Sequence, residues 1–427
     1  MTPKTFLRSM AMRRFSSLEH LESVRRKAIK RRKSTKRAPE VYYFHQVDDP
    51  YSHLTVQKLS ALTQRYRLPF KCYLVSTPDP TYQGSSQHFS SWAMQDAINV
   101  APDYGVEFAP ALKQPETDQI AAANNALAAC PDTASFASEA FRVGQALWSG
   151  KNISSTISTQ TGEQALATGN ELRRSLQHYQ GAMFYFDGEW FWGLDRLRSL
   201  ETRLIAEGFG AGPLVVPEPP SPEFTGQDLT GITLEYFPSL RSPYTAIGHL
   251  RVVDLVRNSG VELKVRPVMP MLMRGIPAPQ AKQRYIITDA GREGRERGAP
   301  LGKVVDPFGE PVKRAFALFP AADALEHGMD YVTAYLEAAW FEGIDVTKEA
   351  GLKRVVKNAG LDWVRLNAMA GDYQWQSQLQ SNLDAMMAEN LWGVPSFRVS
   401  GGHSDGAFAC WGQDRIWRVA KELLRRI

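Results

Sequence analysis

Apolar positions divide the chain after Pro39 into strand-like and helix-like segments. Residues 41–45 (VYYFH) and 70–75 (FKCYLV) are runs of β-branched and aromatic residues, which predict strands. Between them stand a turn at 48–52 (DDPYS) and leucines at helical spacing over 54–62. The pattern predicts a β-α-β unit in the first half of the chain.

The same order of elements appears again in the second half. Residues 233–237 (TLEYF) predict a strand and 241–245 (RSPYT) a turn. Apolar residues over 250–256 continue as a helix, and 261–265 (VELKV) predict the next strand. The Pro-rich segment 211–230 reads as a linker between the two copies. We therefore interpret the chain as a tandem repeat.

Both halves also close in the same way. Strand-like residues near 183–192 and near 396–411 each lead into a G-x-D-R turn, at residues 193–196 and 412–415, where a last helix begins. In the second half the intervening residues have helical patterns over 334–341, 350–359 and 378–390. A β-α-β unit, a helical insertion and a β-β-α unit make up a thioredoxin-like layout. The predicted fold class is α/β, with two tandem thioredoxin-like domains that each carry a helical insertion.

The predicted domain organisation has four parts. They are a basic N-terminal arm at 1–38, a degenerate thioredoxin-like domain at 39–210, the linker at 211–230 and a second thioredoxin-like domain at 231–427. A chain of 427 residues is long enough for two domains of ordinary size.

Composition excludes several classes of protein. With 43% hydrophobic and 22% charged residues, the chain has ordinary globular composition, and its sequence contains no apolar run long enough to span a membrane. Its 3 cysteines are scattered, and His249, His327 and His403 are isolated, without partners at ligand spacing. We expect no disulfide scaffold and no metal site. A reduced, cytoplasmic protein is the expectation.

The net charge of +5 conceals an asymmetry. Residues 1–40 hold 13 basic and 3 acidic residues, whereas the remainder holds 37 basic and 42 acidic ones. Residues 12–33 predict one basic amphipathic helix that Ser16 or Ser17 could cap. Such an arm could bind an anionic surface such as nucleic acid or lipid. Alternatively, it is a solubilising helix that packs loosely on the body or frays into solvent.

With these motifs in hand, the second half resembles the 2-hydroxychromene-2-carboxylate isomerases and the kappa-class glutathione transferases. Both belong to the DsbA-like branch of the thioredoxin superfamily. The resemblance covers about residues 231–427. It rests on ordered matches at residues 242–244 (SPY), 266–267 (RP), 281–285 (AKQRY) through 306–308 (DPF), 393–395 (GVP) and 412–415 (GQDR).

This resemblance implies a glutathione site with named residues. Ser242 would be the catalytic residue, hydrogen bonding to the sulfur of glutathione and holding it as the thiolate. Val394, before a cis Pro395, would offer backbone groups to the cysteinyl part. Gln413 and Asp414, with Arg415 completing the motif, match the positions that hold the γ-glutamyl end. Alternatively, Asp414 is the N-cap of the last helix.

The residue types make this chemistry intelligible. Pro243 suits the first position of a helix, because the N–H that it lacks would be unpaired there. A helix N-terminus carries about half a positive charge, which stabilises a nearby thiolate. A glutathione-dependent reaction needs the pKa of the thiol lowered from about 8.5 towards neutrality.

The first half departs from the pattern. Asp49 occupies the serine position, and Met183 stands where the second half has Pro395. An ionised aspartate accepts hydrogen bonds and repels a thiolate, although Asp195 and Arg196 of the closing turn persist. We interpret residues 39–210 as a degenerate copy without the glutathione reaction. The alternative is that Asp49 acts as a general base on another substrate.

The second half has departures of its own. Its first strand lacks the aspartate common in the family, and residues 269–274 (MPMLMR) replace the usual glycine-asparagine turn. These methionines could line an apolar acceptor pocket, since methionine adapts to irregular ligands, or could belong to the core.

Three functional hypotheses follow. The first is a glutathione-dependent isomerase or transferase acting on a hydrophobic, aromatic substrate. The second is DsbA-like thiol-disulfide exchange, which the absence of any C-x-x-C motif disfavours. The third is a non-catalytic tandem binding or scaffold protein. The chain could act as a monomeric pseudo-dimer or as a homodimer.

Overall fold

A computed structural model describes residues 1–84, 86–111, 114–153 and 161–427. The chain forms two compact units. One, which we call the first unit, contains residues 22–219. The other, the second unit, contains residues 1–21 together with 220–427.

Each unit is built around a four-stranded sheet. The strands are β1 (Val41–His45), β2 (Phe70–Leu74), β3 (Met183–Phe186), β4 (Glu189–Trp192), β5 (Ile232–Phe237), β6 (Glu262–Val265), β7 (Ser396–Gly401) and β8 (Phe408–Trp411). The strand orders are β2-β1-β3-β4 and β6-β5-β7-β8. In both sheets the first pair is parallel and the other two pairs are antiparallel. The two sheets therefore share one topology.

Most of the other regular elements are α-helices. In the first half they are α1 (Pro3–Ser16), α2 (Leu18–Ser34), α3 (Pro50–Arg65), α4 (Pro80–Gln83), α5 (Ser86–Val100), α6 (Thr117–Ala128), α7 (Thr133–Trp148), α8 (Gly162–Ser175) and α9 (Leu197–Ala206). In the second half they are α10 (Pro243–Ser259), α11 (Gln280–Glu296), α12 (Glu310–Ala324), α13 (Gly328–Leu336), α14 (Glu349–Asn358), α15 (Trp363–Met369), α16 (Trp375–Ala388) and α17 (Ile416–Arg425). A π-helical turn, Glu337–Glu342, extends α13.

The order of elements agrees with the α/β prediction. In each unit β-α-β is followed by helices and then by β-β-α, so each sheet has the predicted helical insertion. Residues 211–230 contain no helix or strand. The same starting signal, a polar cap residue followed by proline, begins α3 at Asp49-Pro50 and α10 at Ser242-Pro243.

The second unit has two apolar cores. One lies between the β5–β8 sheet and helices α10 and α17, with Leu234, Phe397 and Leu423 fully buried. The other fills the helical insertion around Trp340 and Tyr331. These cores fix α10 between the sheet and the insertion, so the start of α10 lies where the two parts meet.

The N-terminal segment is two helices rather than the single predicted helix over 12–33. The chain leaves helical geometry at Ser17, where ψ is 153°. Its hydroxyl accepts a hydrogen bond from the His20 amide at 3.1 Å, which caps the new helix. Ser17 is one of the two serines predicted as the cap, so that prediction is confirmed, and the part that it missed is helix α1 before this serine.

Helix α1 packs on α11 of the second unit through backbone contact. Gly291 of α11 has no side chain, and a Cβ built there would lie 2.5 Å from the carbonyl oxygen of Ser16 and 2.7 Å from its Cα. The guanidinium of Arg295 also donates to that carbonyl at 2.5 Å. Glycine is therefore required where the two helices cross.

Among the residues that the structure describes, no helix is both long enough and apolar enough to cross a bilayer.

We predict that Gly291→Ala destabilises the protein although alanine is the better helix former. In an open helix this change would be worth about 0.5–1 kcal/mol in favour of alanine. Here the added methyl group must displace the backbone of Ser16, so we expect a loss of about 1–3 kcal/mol. Urea unfolding measures the difference. Gly371→Ala, where nothing lies within 4 Å of the new Cβ, is the control, and equal effects of the two changes would contradict the prediction.

Candidate functional site

Ser242 caps the N-terminus of α10 at the carboxyl end of β5. Its Oγ accepts a hydrogen bond from the Thr245 amide at 3.1 Å. The same hydroxyl donates to the carbonyl oxygen of Val394 at 3.4 Å, which is long for an O–H···O bond. Ser242 is 9% exposed, so the hydroxyl lies at the edge of the buried interior.

The turn before β7 faces this hydroxyl. The Val394–Pro395 peptide bond is cis, as the resemblance implies. The indole of Trp411 covers Gly393 so closely that a Cβ there would lie 2.0 Å from the ring. Trp392 and Trp411 have ring centroids 4.8 Å apart. The structure thus brings Ser242, Val394 and Pro395 together with two tryptophans that sequence analysis did not assign to the site.

A buried carboxylate fixes the residue before Ser242. Asp306 is fully buried, and its Oδ1 accepts from Nε of Arg241 at 2.6 Å. Its Oδ2 accepts from Nε of Arg8, on α1, at 2.6 Å. Both guanidinium groups also lie about 5 Å from the centroid of the Phe308 ring, at 4.8 and 5.1 Å. A residue near the chain's N-terminus therefore helps to hold the loop that carries Ser242.

The second residue of α10 is tied to the insertion. The hydroxyl of Tyr244 donates to Oδ2 of Asp289, on α11, at 2.8 Å. Asp289 is 2% exposed and also pairs with Arg292. The SPY motif is therefore held on both sides, by Asp306 through Arg241 and by Asp289 through Tyr244. Residues 306–308 belong to one of the ordered matches, but the partners of Asp306 and Asp289 could not be predicted from sequence, because contacts over so many residues leave no local signal.

The closing turn of the second unit is largely occupied by internal contacts. Gln413 is 1% exposed, accepts a hydrogen bond from Arg251 and donates to Oε2 of Glu293 at 3.2 Å. Arg415 is 3% exposed and donates to the carbonyl of Asp414 at 3.3 Å. Arg415, not Asp414, occupies the N-cap position of α17. Asp414 is half-buried, and of these three residues its side chain is the most accessible.

The methionine-rich segment after β6 forms a short helical turn, Met271–Arg274. Met269 and Met273 pack against the core of the insertion, which agrees with the core interpretation for these two side chains. Nη2 of Arg274 donates to the carbonyl of Trp392 at 2.5 Å, and burial lowers the pKa of its guanidinium to about 10. This contact, which sequence analysis missed, ties the segment to the turn that contains Pro395.

The first unit places Asp49 where the second places Ser242, at the start of the helix that follows the first strand. Oδ1 of Asp49 accepts from the Tyr51 amide at 3.3 Å. Its Oδ2 accepts from the amide and the hydroxyl of Ser52 at 3.0 and 2.9 Å. Burial raises the pKa of the Asp49 carboxyl to about 7, against the opposing effect of the Ser52 hydrogen bond.

Other predicted residues of the first unit are buried or engaged. Met183, the first residue of β3, is fully buried and follows Ala182, whose φ is 52°. Oδ1 of Asp195 accepts from the hydroxyl of Tyr104 at 2.8 Å, and Arg196 is 2% exposed. The first unit therefore has no X-Pro bond at the position of Val394–Pro395, as its sequence indicates.

The two sites differ in what they can donate. Both helix starts satisfy their backbone N–H groups with a side-chain oxygen. Asp49 does so as an acceptor whose two oxygens are already engaged within its own first turn. Ser242 accepts one bond and keeps a hydroxyl proton, now shared with a carbonyl 3.4 Å away. Of the two, Ser242 is equipped to donate a hydrogen bond to a bound anion.

The cysteines do not occupy the helix starts. Cys72 lies on β2, and burial raises the pKa of its thiol to about 12. Burial raises the pKa of the Cys130 thiol to about 11, and Cys410 on β8 is buried. Thiol–disulfide exchange needs an accessible thiolate, so these positions do not favour it.

We predict that Asp49→Asn flattens the pH dependence of stability between about pH 4 and 7. The carboxyl binds its proton more tightly in the folded state, because its pKa is raised from 3.8 to about 7. Its contribution is thus complete below pH 4 and is lost as the pH rises to about 7. Asparagine is also a good cap and cannot ionise. Urea unfolding of both proteins across this range measures the effect, and parallel profiles would contradict it.

We also predict that Arg241→Met destabilises the second unit by about 1–3 kcal/mol, because Arg8 is then the one cationic partner left to the buried Asp306 among the described residues. Arg257→Met is the control, since Arg257 pairs with Asp254 on the exposed surface of α10. Thermal or urea unfolding compares the two variants. A loss no larger than that of the control would show that Arg8 alone compensates the carboxylate.

Comparisons with known proteins locate one domain. Residues 233–424 match the model of the DSBA-like thioredoxin domain. No curated protein matches the chain. The fold class is therefore confirmed: α/β, with a DsbA-like thioredoxin domain in the C-terminal half, a second sheet in the N-terminal half, and helical insertions.

Several solved structures are similar to part of the chain. A 2-hydroxychromene-2-carboxylate isomerase is 21% identical over 45% of this chain and 95% of its own, with a TM-score of 0.37. A putative protein disulfide isomerase from Nitrosomonas europaea is 15% identical over 46% and 96%, with a TM-score of 0.38. The cytosolic disulfide reductase DsbM from Pseudomonas aeruginosa is 18% identical over 45% and 98%, with a TM-score of 0.35. DsbM solved with GSH is 17% identical over 46% and 100%, with a TM-score of 0.33. Identities this low carry no conclusion about chemistry.

Proposed function

We propose that the second unit is a glutathione-dependent isomerase or transferase that acts on a hydrophobic, aromatic substrate. One observation carries the proposal: the Ser242 hydroxyl, at the start of α10, lies 3.4 Å from the carbonyl of Val394, in the turn whose Val394–Pro395 bond is cis. The hydroxyl of Ser242 holds the glutathione sulfur as a thiolate. The backbone of Val394 meets the cysteinyl part.

The electrostatics of the helix start support thiolate formation. Helix α10 has 17 residues, and its first N–H groups point towards the site with the positive end of its dipole. The hydrogen bond from Ser242 to Val394 is long, so its proton can turn towards a sulfur anion at small cost. A donated hydrogen bond and a helix dipole both favour the charged form of a thiol and lower its pKa.

Asp414 holds the ammonium group of the γ-glutamyl end. Its side chain is half-buried, whereas Gln413 and Arg415 are buried and serve to orient the turn. Gln413 bonds to Arg251 and Glu293, so we assign it a positioning role beside its predicted ligand contact. Reversible addition of the thiolate would isomerise a substrate, and displacement of a leaving group would conjugate it.

The first unit is proposed to be a degenerate copy that lacks the glutathione reaction. Asp49 and the peptide before Met183 offer no free hydroxyl and no X-Pro turn. The raised pKa of Asp49 would suit a general base. The alternative that Asp49 acts as a general base on another substrate therefore stays a prediction. A cytoplasmic location and the oligomeric state, either a monomeric pseudo-dimer or a homodimer, stay predictions.

A titration of the intact protein with glutathione tests the proposal. We expect saturable binding, with the thiolate absorbance of bound glutathione appearing at a pH below the free thiol pKa of about 8.5. Ser242→Ala removes the donor, so the pKa of the bound thiol should rise by about one unit or more. Ser242→Thr keeps the hydroxyl and should restore most of the effect.

A stability control separates the cap from the chemistry, since losing a cap costs about 1 kcal/mol. Asp362→Ala removes the cap of α15, which lies in the insertion, and should leave the thiol pKa unchanged. Absence of binding at millimolar glutathione would contradict the proposal and favour the hypothesis of a non-catalytic binding or scaffold protein. A change in the count of free thiols during turnover would instead support disulfide exchange.

A further inference from the structure

Helix α1 is held in the second unit largely by polar groups, although Met12 and Phe15 also pack against the core of the insertion. Its inward residues Thr5, Ser9 and Ser16 are 5%, 2% and 1% exposed. The hydroxyl of Ser9 accepts a hydrogen bond from the Asp306 amide at 2.9 Å, and Nε of Arg13 donates to the carbonyl of Val304 at 2.8 Å. A surface helix ordinarily buries apolar residues and exposes polar ones. Along much of α1 this arrangement is reversed.

The outward side of α1 is apolar. Phe6, Leu7 and Met10 are 53%, 64% and 48% exposed. At about 100° per residue, these three positions fall within one arc of about 100° on the helix. They account for three of the seven large hydrophobic residues that are exposed in the described chain. Clustering of this kind, unlike scattered exposure, marks a surface that another body covers.

The charged side chains of α1 itself all have one sign. Lys4 and Arg14 are exposed on α1, and the sequence contains no acidic residue before Glu19. Arg8 and Arg13 are engaged with the second unit, so Lys4 and Arg14 are the basic residues of α1 that are left at the surface. A surface that complements α1 must therefore offer an apolar region to Phe6, Leu7 and Met10, and anionic groups to Lys4 and Arg14.

We propose that the outward face of α1 binds the surface of an anionic lipid bilayer. Phe6, Leu7 and Met10 enter the boundary between headgroups and acyl chains, and Lys4 and Arg14 contact the lipid phosphates. A second copy of this chain would place the same cations opposite each other, which is unfavourable. Nucleic acid would attract the cations but leave the apolar side chains uncovered. A bilayer satisfies both requirements.

This mode of binding leaves the domain intact. Two of the residues that hold α1, Arg8 and Ser9, lie outside the apolar arc, and Arg13, at the edge of the arc beside Phe6, donates to the carbonyl of Val304. The helix lies along the surface and does not cross the membrane, which agrees with its length of 14 residues. Binding is independent of the glutathione proposal, because none of the outward residues belongs to the Ser242 site.

Co-sedimentation of the full-length protein with vesicles tests this inference. One set of vesicles is phosphatidylcholine alone, and the other contains phosphatidylglycerol as well. We expect binding to the second set, weakened by salt, and little binding to the first. Phe6→Ser combined with Leu7→Ser should lower the partition coefficient about tenfold or more, because the variant has less apolar area to bury. Lys4→Gln combined with Arg14→Gln should weaken binding and reduce its salt dependence.

Val364→Ser is the matched control, since Val364 is an isolated apolar residue on α15 that is 74% exposed. It should bind vesicles as the unchanged protein does, and all variants should keep the same thermal midpoint. Failure to bind phosphatidylglycerol vesicles, or binding that survives the Phe6 and Leu7 changes, would overturn the proposal. So would a dimer that those two changes convert to a monomer, because a second copy would then cover this face.

Discussion

The first N–H groups of a helix must find acceptors, and in this protein that requirement shapes both candidate sites. Helices α3 and α10 each begin immediately after the turn that follows the first strand of a sheet, so their N-termini lie at the carboxyl ends of β1 and β5. A residue there must supply a side-chain oxygen. Asp49 accepts these hydrogen bonds with both carboxylate oxygens. Ser242 accepts one with its hydroxyl oxygen and can still donate its hydroxyl proton. A single choice of capping residue thus separates a site whose two side-chain oxygens are both occupied from one that keeps a hydroxyl proton to donate.

Buried charge then fixes the position of the cap in the second unit. Asp306 holds Arg241, and Asp289 holds Tyr244, so the residues on either side of Ser242-Pro243 are tied to the insertion and to α1. A buried carboxylate without partners is costly, which makes these pairs sensitive to the loss of either member. The first unit repeats part of the scheme, because Tyr51 donates to Asp96 at 2.7 Å just as Tyr244 donates to Asp289. Both units thus tie the second residue of this helix to a buried aspartate.

The two sides of helix α1 differ in composition and in role. Its polar inward side completes the charge pairs around Asp306, and its apolar outward side remains exposed. The basic residues of α2 are partly consumed within the first unit, where Arg25 pairs with Glu189 and Arg32 with Asp187. The large positive charge of the N-terminal segment therefore overstates the charge that is free to meet a partner.

The sequence by itself determined the order of elements, the fold class and the residues at the two helix starts. Those features depend on local signals: β-branched runs, leucine spacing, a cap followed by proline, and the Val394–Pro395 turn. It indicated Ser17 as a cap but did not reveal helix α1 before that serine, because α1 packs through polar residues and lacks a regular apolar pattern. Nor did it reveal which groups Asp306, Asp289 and Arg274 contact. These residues acquire their roles through partners distant in the chain, and only the packing of α1, α10 and α11 decides which charges meet.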